Sequence, residues 1–282
     1  MLTRIDTLID LALDEDAAFG DVTSQSIFTA DHTSEARILA REDLVVCGLE
    51  VVNRVFKRVD AALEIKLEKK DGEKLSDGDD VLLVRGSTIS ILTAERTALN
   101  FLQRLSGIAT LSRRFADAAK KTGMGVRIVD TRKTTPGWRA LEKYAVRCGG
   151  CFNHRSSLGE HVLIKENHIT AAGSIGKAVA MARSSAPHCA KIEVETETLN
   201  DVREALAAGA EVIMLDNMSP PQIEQAVSLI DKAAIIEISG GVRLDTMSDY
   251  ALPGVDVISV GALTHSAPAA DFSMIVFKSG SE

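Results

Sequence analysis

The rhythm of apolar positions changes near Gly123. Before it, Ile5, Leu8, Ile9 and Ala12 fall at i, i+3, i+4 and i+7, and Val52, Val55, Phe56 and Val59 repeat that spacing, so each set predicts an amphipathic helix. Short strand-like runs lie between and after them, at Ala36–Leu39, Leu63–Leu67, Val81–Val84 and Thr88–Ile91. Asp71-Gly72 and Asp77-Gly78 read as turns. Ala98, Phe101, Leu102 and Leu105 predict another helix, with Thr93 as its N-cap. Ser106-Gly107 then supplies a break before a further helix from Ala109 to about Lys121. The expectation is an antiparallel sheet with helices on one side, an α+β domain over residues 1–108.

After Gly123 the pattern becomes a regular alternation. Apolar runs at Val126–Val129, Val162–Ile164, Ile192–Val194, Val212–Leu215, Ile235–Ile238 and Val255–Val260 are mostly followed by helix-length segments such as Leu199–Ala208 and Pro221–Ala233. That alternation predicts βαβ units, a parallel sheet and an α/β barrel over residues 109–282. An open doubly wound sheet is the other possibility, but no Gly-rich dinucleotide fingerprint follows a first strand.

The strand ends carry the chemistry. They read Asp130 with Arg132 and Lys133, Lys165, Glu195, Asp216, Ser239-Gly240-Gly241, and Gly261. In a closed α/β barrel these ends share one face. One polar strand end is only a strand meeting solvent, whereas six converging ends of both charge signs suggest a site. Arg132-Lys133, His154-Arg155 and Lys165 form an anion-binding set, with arginine matching planar carboxylate or phosphate and lysine acting as a point charge. Ser239-Gly240-Gly241 and Gly261-Ala262 resemble backbone cradles for phosphate. Glu195 and Asp216 can accept ribose hydroxyl protons, hold Mg²⁺ or stabilise positive charge at a ribose carbon. They can equally just neutralise nearby cations.

Composition narrows the classes. The 282 residues are 45% hydrophobic but only 4% aromatic, so the core must be aliphatic. The net charge of -8 argues against nucleic acid as partner. Against that total, the stretch from Arg127 to Lys165 is locally basic, which suits a small anionic ligand. No apolar run approaches a membrane span, and the start of the chain lacks a secretory pattern, so a cytoplasmic protein is expected. Four cysteines suggest no disulfide framework. Cys148-Gly149-Gly150-Cys151 is a CxxC with His154 three residues on, a redox motif or half a zinc site; without a second CxxC, two unrelated thiols is the plainer reading.

Several segments together resemble the quinolinate phosphoribosyltransferase family over nearly the whole chain: Thr93–Asn100, Leu105–Thr110, Asp130–Gly137, Glu142–Arg147, Asn153–Arg155, Leu163–His168, Leu215–Met218 and Val260–Ser266. The resemblance implies an N-terminal open-faced sandwich, then an incomplete, TIM-like α/β barrel with fewer than eight units, whose C-terminal tail can return to the first domain. It implies a pentosyltransferase of de novo NAD biosynthesis that makes nicotinate mononucleotide, pyrophosphate and CO₂ from quinolinate and phosphoribosyl pyrophosphate, with Mg²⁺. It also implies a homodimer with a shared active site, which in some cases assembles into a hexamer. Arg96 matches the arginine that reaches the partner subunit's site. Arg132, His154, Arg155 and Lys165 match residues around the quinolinate carboxylates. Lys133, Glu195 and Asp216 match the catalytic residues around phosphoribosyl pyrophosphate and Mg²⁺, and Ser239, Gly240, Gly241, Gly261 and Ala262 match the phosphate-binding part.

Cys151 and Ser157 replace usual glycines of that family, which puts the backbone path beside the dicarboxylate site in question. Other readings are a related molybdenum-utilisation protein, against which Glu95-Arg96-Thr97 argues, a non-turning-over anion or redox sensor, against which Glu195 and Asp216 argue, and an enzyme taking nicotinate, against which the arginine-rich acid site argues.

Overall fold

The computed structural model describes residues 2–278. In chain order the elements are α1 (Leu2–Ala17), α2 (Val22–Ile27), β1 (Thr33–Ala40), β2 (Leu44–Val45), α3 (Leu49–Val59), β3 (Glu64–Leu67), β4 (Lys74–Leu75), β5 (Asp80–Ser87) and α4 (Thr88–Thr122). Then follow β6 (Arg127–Val129), α5 (Arg139–Cys148), β7 (Val162–Ile164), α6 (Glu166–Ala172), α7 (Ile175–Ser185), β8 (Ile192–Thr196), α8 (Leu199–Ala207) and β9 (Val212–Asp216). The last are α9 (Pro220–Ile230), β10 (Ile235–Ser239), α10 (Met247–Tyr250), β11 (Val257–Ser259), α11 (Ala262–His265) and β12 (Phe272–Lys278). Among the described residues no helix is long and apolar enough to cross a membrane.

Two compact units result. The first takes the chain up to Arg113, then Thr135–Gly150 and the segment from Ala267; the second takes Arg114–Thr134 and Cys151–Ser266. The first unit is built on an antiparallel sheet in the order β12-β1-β5-β3. Alternation on β1 and β5 buries Ala36 and Ile38 opposite Val84 and Leu82, and α3 buries Val52, Val55 and Phe56 along one side.

Two local expectations fail here. Thr88–Ile91, read as a strand, opens α4, whose first residue therefore lies before Thr93. The break at Ser106-Gly107 is also absent, since α4 runs unbroken for 35 residues. Gly107 has a different task. A Cβ there would sit 1.9 Å from the Pro268 carbonyl oxygen, so glycine lets the segment before β12 lie against the helix. Ser106 is fully buried and holds the chain before α3, accepting from the Cys47 N–H at 3.0 Å.

The second unit carries six parallel strands in the order β6-β11-β10-β9-β8-β7. They form an incomplete α/β barrel; among the described residues no ladder joins β6 to β7, and β6 ends in a single bridge between Val129 and Phe152. β8, β9 and β10 are buried along most of their length, as parallel strands covered on both faces must be.

Candidate active site

The pleat of the parallel strands builds the site. Side chains two residues apart share a face, and parallel register lays equivalent positions side by side. Glu195 on β8 and Glu237 on β10 both stand opposite Met214 on β9, while Ser239 stands opposite Asp216. Glu193 lies two residues before Glu195, opposite Leu163 on β7. This face opens into a cavity of about 400 Å³ at the C-terminal ends of the strands. Its wall includes Arg132, Lys133, His154, Arg155, Lys165, Glu195, Asp216 and Ser239, all named from the sequence, together with Glu237, Thr131 and Ser259, which were not.

The remaining named residues lie elsewhere. Gly240, Gly241, Gly261 and Ala262 are outside the lining. Gly240 has φ +94°, and a Cβ on it would sit 2.2 Å from the Asn217 amide oxygen, so this turn is packed against the end of β9. Gly261 approaches the stem of Lys133, and Thr264 donates its hydroxyl to the Lys133 carbonyl at 2.8 Å. The segment thus fixes the lysine backbone. Arg96, in the first unit, is exposed and lines another hollow with Asn100, Phe101 and Trp138.

Asp130 shows how the basic loop is held. It is wholly buried at the end of β6 and accepts the His154 N–H at 2.9 Å and the Asn153 side-chain amide at 2.6 Å. This strand-end carboxylate therefore carries the backbone of His154. Arg155 is buried and donates to the His161 carbonyl at 3.1 Å. Burial and the neighbouring Arg132 guanidinium both lower its pKa. Two guanidiniums that repel one another at a cavity wall are stabilised by an arriving anion.

His154 sits over a buried acidic layer. Its Nε2 is 3.5 Å from Glu193 and 3.4 Å from Glu237, and His161 Nε2 is 2.9 Å from Glu193. Burial opposes a charge on His154, yet the two carboxylates outweigh it and raise the imidazole pKa to about 9. For Glu193, burial likewise opposes the charge, and the two histidines overcome it, lowering the carboxyl pKa to about 2. While the ring is neutral, the Arg155 N–H donates to His154 Nδ1 at 2.8 Å and the ring proton sits on Nε2, facing the acids; an imidazolium gives up that bond, which works against the two carboxylates.

Lys165 ends β7, caps α6 and ion-pairs with Glu195. His168 accepts the Lys165 N–H at 3.0 Å, a capping role. Asp216 accepts from the Asn217 amide at 2.8 Å. Glu195 and Asp216 give the cavity wall two carboxylates, the hard oxygen donors that Mg²⁺ takes, so the residues present fit that ion.

Glu193 and Glu237 were missed because each sits inside an apolar run. The signal that could have found them is a carboxylate two residues before a polar strand end, in a strand otherwise fit for full burial.

Comparison with known proteins gives one answer over the chain. Residues 21–106 match the model of the quinolinate phosphoribosyl transferase N-terminal domain, and residues 108–275 that of its C-terminal domain. The chain is 44% identical to a probable nicotinate-nucleotide pyrophosphorylase [carboxylating] of Bacillus subtilis, across 93% of this chain and 90% of that protein. It is 41% identical to a mitochondrial quinolinate phosphoribosyltransferase [decarboxylating] of Nicotiana glauca, across 95% of this chain and 80% of that protein. The crystal structure of NadC from Streptococcus pyogenes superposes with a TM-score of 0.93 at 44% identity, covering 98% of each chain. The nicotinate-nucleotide pyrophosphorylase of Francisella tularensis gives 0.92 at 39% identity, covering 98% of this chain and 96% of that one.

Proposed function

The chain belongs to the quinolinate phosphoribosyltransferase family, and we propose that its barrel cavity joins quinolinate to phosphoribosyl pyrophosphate, giving nicotinate mononucleotide, pyrophosphate and carbon dioxide. The observation that carries this reading is one cavity holding Arg132, Arg155 and Lys165 together with Glu195 and Asp216. A dicarboxylate needs the cations; a ribose that turns cationic as its leaving group departs needs the acids.

The roles follow from position. Arg132 and Arg155 grip the quinolinate carboxylates, and His154 and Lys165 complete that anion site. So held, the ring nitrogen faces the ribose carbon, and most of the rate enhancement comes from orientation. Lys133 meets the departing pyrophosphate, while Ser239 and the amides of Gly240, Gly241, Gly261 and Ala262 serve the phosphates. Glu195 and Asp216 would hold Mg²⁺, which supplies charge neutralisation for the pyrophosphate. Attack leaves the ring nitrogen positively charged, which draws electrons from the adjacent C–CO₂⁻ bond and releases carbon dioxide, and the ring carbon left with that electron pair takes up a proton from water. No covalent enzyme intermediate is needed.

The working unit is a homodimer in which Arg96 of one subunit completes the site of the other. The test is an assay of the purified protein with quinolinate, phosphoribosyl pyrophosphate and Mg²⁺, following all three products, with nicotinate in parallel. Equal release of the three from quinolinate alone is expected; binding without turnover, or turnover of nicotinate, would overturn the reading. Sharing predicts that inactive Arg96→Ala and Arg132→Ala proteins regain partial activity when mixed. Silence after demonstrated subunit exchange would remove Arg96 from the site.

A further inference from the structure

The sulfur beside that of Cys148 in the first unit belongs to Cys47, far earlier in the chain. The two sulfurs and a carboxylate oxygen of Asp71 all lie within 4.8 Å of one another in the first unit. The frame around them is tight. Cys47 is wholly buried between β2 and α3, and its N–H and carbonyl are both bonded to the Ser106 hydroxyl. Cys148 ends α5, followed by Gly149, where a Cβ would meet the Ala109 carbonyl oxygen at 2.4 Å, so the backbone after the thiol is pressed onto α4. Gly72 donates to the Val46 carbonyl at 2.8 Å and brings the Asp71 turn alongside.

The two thiols differ in kind. Cys47 is sealed, whereas Cys148 is partly exposed. The neighbouring Cys47 thiol lowers the Cys148 pKa, with further help from Tyr144, while the Cys148 sulfur and then burial hold the Cys47 thiol well above its ordinary range. Asp71 does not make the cluster a metal site of three free ligands. Its Oδ1 accepts from the N–H groups of Gly48 at 2.9 Å and Leu49 at 3.1 Å, at the start of α3, and its Oδ2 accepts from the Tyr144 hydroxyl at 2.8 Å.

We propose that Cys148 and Cys47 form a dithiol site whose substrate is a small-molecule disulfide, Cys148 being the attacking thiol and Cys47 the resolving one. The Cys148 thiolate attacks one sulfur of R–S–S–R; the S–S bond breaks, and RS⁻ leaves and takes up a proton. Cys47 then gives up its proton and attacks the Cys148 sulfur, expelling the second RS⁻. The balance is one disulfide reduced to two thiols and two protein thiols oxidised to a Cys47–Cys148 bond. To bond, sulfurs at most 4.8 Å apart must approach to about 2.05 Å.

The test uses the full chain carrying Cys189→Ser, which removes the exposed thiol, treated with oxidised glutathione at neutral pH and followed by intact mass and peptide mapping. The expected product has lost two hydrogens, retains no glutathione and yields a Cys47–Cys148 linked peptide. In the same background Cys47→Ser should stop at a stable glutathione adduct on Cys148, and Cys148→Ser should leave Cys47 unmodified. Should Cys47→Ser fail to fold, the order is read on the parent protein, where iodoacetamide should label Cys148 about tenfold faster than Cys47. A Cys148–Cys151 link, a persistent adduct on the parent protein, or equal labelling would overturn the proposal. So would protection of both thiols by one equivalent of Zn²⁺ with no disulfide formed on later oxidation, which would make the pair a metal site. None of these readouts depends on turnover, so the result stands apart from the phosphoribosyl-transfer reading.

Discussion

Replacing Glu193 by glutamine tests the acidic layer beneath His154. The wild-type imidazole is raised from 6.5 to about 9. At roughly 1.4 kcal/mol for each pH unit, that shift is worth about 3 kcal/mol of folding stability. The sign follows from proton binding. Below pH 6.5 the histidine is charged in both folded and unfolded chains, and the contribution is fully present; it is lost as pH rises from 6.5 through 9. The lowered carboxyl of Glu193 is the same interaction seen from the other side, present above 4.5 and lost as pH falls toward 2, and is counted once. Glutamine keeps the shape but removes one of the two acids facing the ring. About half of the contribution, roughly 1.5 kcal/mol, should disappear at neutral pH. Urea unfolding from pH 6 to 9.5 should show a shallower loss of stability in the variant, and NMR of the imidazole carbons should place the His154 midpoint nearer the ordinary histidine range. A wild-type imidazole that already titrates at or below 6.5 would refute the reasoning, because Glu193 and Glu237 would then not be holding the proton.

Three further perturbations follow. Arg132→Ala should weaken quinolinate binding by about 2–5 kcal/mol and raise its KM with little change in the KM for phosphoribosyl pyrophosphate; equal loss for both substrates would misplace the arginine. Gly107→Ala drives a methyl group into the Pro268 carbonyl and should cost about 1–3 kcal/mol or more in thermal unfolding; an unchanged melting temperature would mean that this contact yields freely. Glu142→Ala removes a wholly buried carboxylate that accepts from Arg104 at 2.9 Å and from the Thr135 hydroxyl at 2.7 Å, and should destabilise by about 3–5 kcal/mol; a loss below 1 kcal/mol in urea unfolding would contradict the ion pair's role.

What the sequence reveals and what it hides divide along physical lines. The six barrel strands are legible because parallel strands covered on both faces must be nearly all apolar, and the residue ending each is the first free to be polar. That is why Lys165, Asp216 and Ser239 could be named before the fold was known. Glu193 and Glu237 stayed hidden because a charge inside a strand is satisfied by a histidine of the loop before β7, a partner that local spacing cannot reveal. Ser106-Gly107 resembles a break because glycine disfavours helix, yet the need here is a close approach by residues from the far end of the chain. The same lesson holds for Cys148, where a nearby cysteine in the sequence drew attention from the distant one in contact.

The strand order of the first unit bears on how the protein is made. β1 lies between β5 and β12, and β12 is encoded only after the whole barrel. During synthesis the barrel strands leave the ribosome while β1 still has one open edge, ready to pair with whatever extended chain it meets. The sheet that begins first is therefore finished last. Released chains truncated between Ser266 and Phe272 should show a protected barrel and an unprotected β1. A chaperone acting on this protein has most to do there, shielding one strand edge for the time it takes to translate the other unit.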